Sequence, residues 1–431
     1  KTPAPGIQIG GPGQLVVNIG GSLELGGSEG IMSWGITGPI RFNSTGVDAS
    51  YDSLAGLTGF EDGASVDVTV GGDVDMLTSR IVSTYGGELT VSAGGKMDLG
   101  SAEIPPGLQA LAYGIYSTGG SDVNVTANGD TDVDGARIAT FNGGDINVES
   151  YNGSVNVGSG GNVQESIPLV SPIFLPGYNK QGPIQGPNTY YLDYSVYGSG
   201  IVAASLPQNL DSSGVAVLPG NITVDTPKGN IASTQAGILQ YALDGSTTSG
   251  PFIKLTAGTP AVEDNNGNII TPAIPGNIDL GSSGIIGGTV DLSAQGNITG
   301  AIISRQDSTV NTTGNFTGTV LAGGTANLSA GGSVTGTFIA VGGLSIAGSI
   351  GAGSTVLAQN ANVNGSSQDT LGSSATASAA SQSAAGQSSD SSKQQVAGND
   401  DGDDEKKKKK GQGGGLTRRN SRVTVILPKP M

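Results

Sequence analysis

Four apolar triplets, IIS, VLA, FIA and VLA, begin at Ile302, Val320, Phe338 and Val356, a fixed step of 18 residues. The pattern G-x-[IVF]-[TD] opens at Gly276, Gly296, Gly314 and Gly332 in the same stretch. A register held through successive copies means one supersecondary unit repeated. Such a unit buries its apolar face only by stacking on its neighbours.

A looser array runs from about residue 64 to 160. Alternating pairs flank a Gly-containing turn: Val66/Val68 with Val74/Met76, Leu89/Val91 with Met97/Leu99, Val123/Val125 with Thr131/Val133, and Ile146/Val148 with Val155/Val157. The first strands start at 66, 89, 123 and 146, spaced by 23, 34 and 23 residues, and the long step contains the extra segment Ser101–Gly114. A third short strand fits beside Ile81, Ile115 and Ile138. Alternation with period two puts one face of each strand inward and the other outward. Two or three such strands joined by Gly/Asn/Ser corners make one coil, and equivalent strands of successive coils stack in parallel about 4.8 Å apart. The expected fold is an all-β, single-stranded parallel β-helix, a solenoid of about 17 to 18 coils on the order of 80 Å long.

Composition agrees with a narrow stacked core. Aromatic residues are 4% of the chain, too few for a large conventional core, while Gly accounts for 75 of 431 positions and suits repeated corners. There is no His and no Cys. That removes a Ser-His-Asp triad, a thiol nucleophile and an ordinary zinc site. The expectation is a non-enzyme with no cofactor and no metal.

The regularity is broken between 164 and 275. The coils are expected over 1–163. A Pro/Tyr-rich excursion lying on the solenoid is expected over 164–219, because Pro cannot donate to a central ladder. Coils resume over 220–365. Residues 366–415 are Ser/Ala/Gly-rich and then charged, the composition of a disordered linker. Residues 416–431 form a basic segment whose stretch Arg422, Val423, Thr424, Val425, Ile426 and Leu427 has a strand pattern ended by Pro428. It is a candidate for pairing with an exposed sheet edge of its own chain or of a partner.

Charge is unevenly placed. Residues 1–365 hold nine Lys+Arg against twenty-eight Asp+Glu, whereas the stretch from Lys406 onward holds nine basic residues and no acidic one. An acidic body repels nucleic acid, so no nucleic-acid partner is expected. Lys406–Lys410 directly follows an acidic run and reads as a solubilising charge block. No apolar stretch is long enough for a membrane-spanning helix. The stretch begins at Lys1 without a signal-peptide pattern, as expected of a processed chain or one piece of a longer polypeptide.

Three surface features are candidates for chemistry. Asp73/Asp75, Asp130/Asp132/Asp134, Asp122 and Asp145 could carry acid/base work or hold calcium, with Arg80 or Arg137 nearby. As outward positions on an acidic solenoid they are expected to be solvated. GGDVDML and GGDINVE lack the nine-residue period of a calcium roll. Tyr190, Tyr191, Tyr194 and Tyr197 form the one aromatic cluster, either a ligand or partner patch or a cover for a coil.

The run GNITVDTPKGNIASTQAGILQ, the GNITG/GNFTG/GSVTG coils and the ending RRNSRVTVILPKP resemble the filamentous haemagglutinin family of Gram-negative exoproteins. The resemblance implies a right-handed coil and two-partner secretion through an outer-membrane transporter. It also implies a secreted or cell-surface location and adhesion to host or neighbouring-cell glycans or proteins. The family's secretion domain, with its Asn-Pro-Asn-type motif, is not seen here, so the match is to a C-terminal portion. No catalytic residue carries over. The expected function is a structural or adhesive rod. The alternatives are a self-associating extracellular filament subunit and a β-helix carbohydrate-active enzyme.

Overall fold

A computed structural model describes residues 6–10, 12–34, 41–43, 48–50, 63–84, 87–101, 113–141, 143–158, 164–174, 189–197, 199–205, 218–242, 250–364 and 366–368. Its regular elements are strands, with no helix among the described residues. Most belong to one 29-stranded sheet. The sheet is a parallel β-helix built of three strand columns.

The first column stacks Gln14–Ile19, Ser65–Val70, Leu89–Ala93, Val123–Ala127, Ile146–Ser150, Ile222–Thr226, Phe252–Ala257, Thr289–Ala294, Ser308–Thr312 and residues 326–330. The second is short, starting with Leu23–Glu24, Val74–Asp75, Met97–Asp98 and Thr131–Asp132 and passing through Val155–Asn156, Ile231–Ala232 and Ile278–Asp279. The third carries a ladder of inward β-branched residues: Ile7, Ile31, Ile81, Ile115, Ile138, Ile201, Ile238, Ile285, Ile302 and Val320, then Phe338 and Val356. All these pairings are parallel and in register. The expected period-two pattern is visible directly: Ser65–Val70 and Val123–Ala127 bury every second residue.

The lumen is therefore a stack of thin apolar layers. Val66, Val68, Val74 and Ile81 close one coil, and Leu89, Val91, Met97 and Ile115 close the next, all of them buried. Each layer is incomplete alone, so it gains its apolar burial, roughly 25 cal/mol per Å², from the layers above and below.

The change from a 23- to an 18-residue repeat falls on two corners. In the early coils residues 133–136 turn the chain from Thr131–Asp132 to Arg137–Phe141. In the late coils the same corner is a bend inside one strand, Ile298–Ser304 or Phe316–Ala322. Gly300, at φ +117°, makes that bend, and Gly318 and Gly336 stack on it. A Cβ on Gly318 would collide with the Gly300 carbonyl oxygen. This is why the second Gly of GNITG, GNFTG and GSVTG recurs. The corner from the third column back to the first is shortened as well.

The Gln164–Phe174 strand pairs antiparallel with Thr189–Tyr197 as a hairpin outside the main sheet. The ladder resumes at Gly200–Ser205, which stacks between Arg137–Phe141 and Gly237–Ala242. That return lies inside the stretch expected to be irregular. A second antiparallel hairpin, Val262–Glu263 with Ile269–Thr271, interrupts the next coil but one. Such excursions use residues without adding coils. The third column has eleven successive pairings among the described residues. At about 4.8 Å each they span on the order of 50 Å, shorter than the 80 Å expected from length alone.

One feature departs from the simple inside/outside pattern. Met32, Val82, Tyr116, Ala139, Val202 and Leu239, the outward residues of the third column, are buried and form a second apolar cluster with Phe141 and Ala204. In the later coils the matching positions Ile303, Leu321 and Ile339 are half-buried.

Candidate functional site: polar ladders and an acidic stripe

The corner between the first and second columns carries a polar ladder. Ser22, Asp73, Lys96, Asp130, Ser154, Asn230, Asn277, Asn297, Asn315 and Ser333 occupy it in successive coils. Except at Lys96, the side chain of each accepts the main-chain N–H of the next. Lys96 donates to Asp73 Oδ1 at 2.8 Å, Ser154 to Asp130 at 2.7 Å, Asn297 to Asn277 at 2.7 Å and Asn315 to Asn297 at 2.8 Å. Lys96 has no acceptor, so the chain of bonds stops there and restarts at Asp130. A parallel ladder precedes the first column: Asp145 donates its N–H to Asp122 at 2.7 Å, and Asn221 donates to Asp145 at 2.8 Å.

These ladders reassign four of the acidic candidates. Asp73, Asp122, Asp130 and Asp145 each satisfy a main-chain donor that the corner would otherwise leave to water. Their carboxylates act as corner fasteners within the coil.

Asp75 and Asp132 are different. They stand on the outward face of the second column, in register with Glu24, Asp98 and Asn156. The parallel stacking thus lines up four carboxylates, Glu24, Asp75, Asp98 and Asp132, at the strand spacing of about 4.8 Å. Asp98 is held above the ordinary aspartate range by burial first, then by Asp134, Asp75 and Asp132. Its Oδ1 is buried without a hydrogen-bond partner. Asp134 is raised by burial and by Asp132. Asp134 also sits at φ +50°, a left-handed conformation that Gly26 and Gly281 supply at the matching turn of other coils. The described residues contain no group of three or more acidic side chains arranged to hold a metal ion.

The two arginines expected near these carboxylates are otherwise engaged. Arg80 forms an ion pair with Glu29 of the preceding coil and donates from Nε to the Glu29 carbonyl oxygen at 3.3 Å. Burial disfavours its charge, but Tyr116 and Glu29 outweigh that and raise its pKa. Arg137 is buried at the start of its third-column strand.

Inside the coil a second polar row went unread in the sequence. Ser33, Ser83, Ser117, Thr140, Gln240 and Ser304 lie two residues after the ladder isoleucines and point inward. Ser83 Oγ donates to the Gly87 carbonyl at 3.0 Å and Thr140 Oγ1 to that of Gly144 at 2.9 Å. Gln240 Nε2 donates to the carbonyls of Gly220 at 2.7 Å and Phe252 at 2.9 Å, while its Oε1 accepts from Gly288 N at 3.2 Å. The signal was present as I-x-[ST] in IMS, IVS, IYS, IAT and IIS.

A depression lined by Leu77, Thr78, Gly100, Ser101, Tyr113, Gly135 and Ala136 has room for little more than a water molecule. The contact surface that projects is the Val262–Thr271 hairpin. Val262, Ile269 and Ile270 are 51%, 64% and 66% exposed, the last two the most exposed large apolar side chains described. Asp264 fixes the tip by accepting from the N–H groups of Asn266 and Asn268, both at 2.8 Å. The strand bearing Tyr190, Tyr191, Tyr194 and Tyr197 is described as backbone alone, and those side chains lie outside the described residues. So does Arg422–Leu427.

Compared with known proteins, the chain matches no family model, no curated protein and no solved structure.

Proposed function

We propose that this chain is an extracellular structural and adhesive rod. The observation that carries the reading is the ladder itself. Three strand columns continue in register through the described coils, and their polar atoms are spent on holding coil to coil. Such a body is stiff, tolerant of excursions at its corners, and suited to displaying them along its length. The resemblance of its repeats and ending to filamentous haemagglutinin-like exoproteins supports the surface location.

The adhesive element proposed is the Val262–Thr271 hairpin. Its apolar side chains have no packing role in the coil and fit an apolar patch on a protein partner. The test is binding of the purified chain to intact cells and to a glycan array, beside an Ile269→Ser/Ile270→Ser variant. Saturable cell binding weakened in the variant supports the reading. Absence of binding to cells and glycans alike contradicts adhesion and leaves a purely structural rod.

A further inference from the structure

Two apolar features of the described surface leave the coil in different places. The first is the Val262–Thr271 hairpin. It springs from the corner between the first and second columns, joining Phe252–Ala257 to Ile278–Asp279. Its base is fixed. Thr259 and Ile274 exchange main-chain hydrogen bonds at 2.9 and 2.8 Å, and Thr259 Oγ1 donates to the Pro227 carbonyl of the preceding coil at 2.7 Å. Val262 pairs with Thr271 and Glu263 with Ile269. Cross-strand partners share a face, and so do residues two apart in a strand. Val262 and Ile269 therefore stand on one side of the hairpin and Ile270 on the other.

The second feature is the outward row of the third column in the later coils. Leu239, Ile286, Ile303, Leu321, Ile339 and Leu357 stack in register. Leu239 belongs to the covered apolar cluster, whereas the five that follow are half-buried. Val341, two residues past Ile339, is 47% exposed. Four pairings separate Ile286 from Leu357, a length of about 19 Å. One arm of the hairpin, residues 259–264, spans about 17 Å as extended chain, so the two lengths match.

We propose that the Val262/Ile269 face of one chain's hairpin packs on the row of Ile303, Leu321 and Ile339 in a second copy. This rests on the reading of the hairpin as the adhesive element and names its partner, another copy of the chain. Charge singles out the row. The hairpin carries Glu263 and Asp264 and no basic residue. Residues 1–291 hold eight Lys+Arg against twenty-seven Asp+Glu, and such an acidic body repels it. Residues 292–364 hold only Arg305 and Asp307, which cancel. The later coils thus offer an apolar surface that an acidic hairpin reaches without like-charge repulsion. In its own chain the hairpin stands clear of that row. Val262 and Ile269 are 51% and 64% exposed, and the base is anchored at a different corner. Hairpin and row are different surfaces, so the contact is heterologous, and each chain gives one hairpin and offers one row. A single such contact is small beside the roughly 800 Å² per partner of a stable complex, so the association is weak.

Sedimentation equilibrium of the full chain tests this over about 1–300 μM, the range of a weak contact. The expected result is a mean mass that rises with concentration past that of a dimer. Leu321→Thr/Ile339→Thr and Val262→Ser/Ile269→Ser each weaken the association about ten-fold or more. An equimolar mixture of these two variants forms dimers and nothing larger, because one retains the hairpin and the other the row. Ile270→Ser associates as the parent does, and far-ultraviolet circular dichroism shows the same strand content in every variant. A parent that stays monomeric throughout overturns the proposal, as does an association that either double variant leaves unchanged or that their mixture fails to restore. If such a chain still binds cells, and binds them less as Ile269→Ser/Ile270→Ser, the hairpin's adhesive role stands and the contact between copies alone fails.

Discussion

The side-chain carbonyl of Asn297 accepts the main-chain N–H of Asn315, one coil further on, at 2.8 Å. Asn297 in turn donates its own N–H to Asn277 at 2.7 Å. Removing the acceptor returns the Asn315 N–H to solvent. Asn297→Ala is expected to cost about 1 kcal/mol. Asn297→Asp keeps an acceptor, as Asp73 does at the same corner, and is expected to cost less than half as much. Urea denaturation of the two variants checks the ordering.

Across the lumen the Phe316 and Phe338 rings lie 5.9 Å apart, and both are buried. Neighbouring layers cannot collapse far into the space left by a missing ring, because each is pinned by main-chain bonds to the next coil. Phe338→Ala is expected to cost about 3–5 kcal/mol, and Phe338→Leu much less. The same denaturation experiment measures both.

At Asp134 two costs coincide. Its left-handed backbone is unfavourable for any residue with a Cβ, and its carboxylate raises the pKa of Asp98. Asp134→Gly relieves both and is expected to stabilise the chain by about 1 kcal/mol, after the entropy lost by adding a glycine. A lower melting temperature in Asp134→Gly would count against the strain.

Acidification should relieve the stripe. Asp98 and Asp134 have folded-state pKa values above the unfolded value, so the folded state binds more protons between the two. Their favourable contribution is fully present below the unfolded pKa of about 3.9 and is lost as pH rises through the folded one. Asp98→Asn is therefore expected to melt above the parent chain at neutral pH, with the difference shrinking as pH falls toward the ordinary aspartate range. A difference that stays constant across that window contradicts the mutual repulsion.

The repeating part of this architecture was legible. The steps between Ile302, Val320, Phe338 and Val356 are the pairings of the third column, and Ile81, Ile115 and Ile138 do stack as a third strand. Alternation and spacing encode what every coil must satisfy, so they are written many times. What occurs once was harder to read. Gly200–Ser205 rejoins the ladder between excursions, with no neighbouring repeat to announce it. The acidic residues show a different limit. Asp73 fastens a corner and Asp75, two residues on, repels its neighbours, yet a sequence shows only two aspartates. The difference lies in which main-chain N–H the next coil presents. The Val262–Thr271 hairpin could have been found, since DNNGN is a turn signal between two short β-prone runs.

The central claim is that axial distance in this molecule counts coils, whatever the number of residues between them. Asn147 and Thr223 are separated by as little axial rise as Thr309 and Asn327, although the first pair is 76 residues apart and the second 18. Spin labels on cysteines introduced into this cysteine-free chain measure that rise by pulsed dipolar spectroscopy. Thr90 and Lys254 are joined by four pairings through Asn124, Asn147 and Thr223, and Thr223 and Asn327 by four pairings through Lys254, Asp291 and Thr309. Both pairs should lie about 19 Å apart, although the first is 164 residues apart and the second 104. Equal distances for the two pairs are the predicted result. A first distance longer than the second by the ratio of their residue separations would contradict the stacked coil.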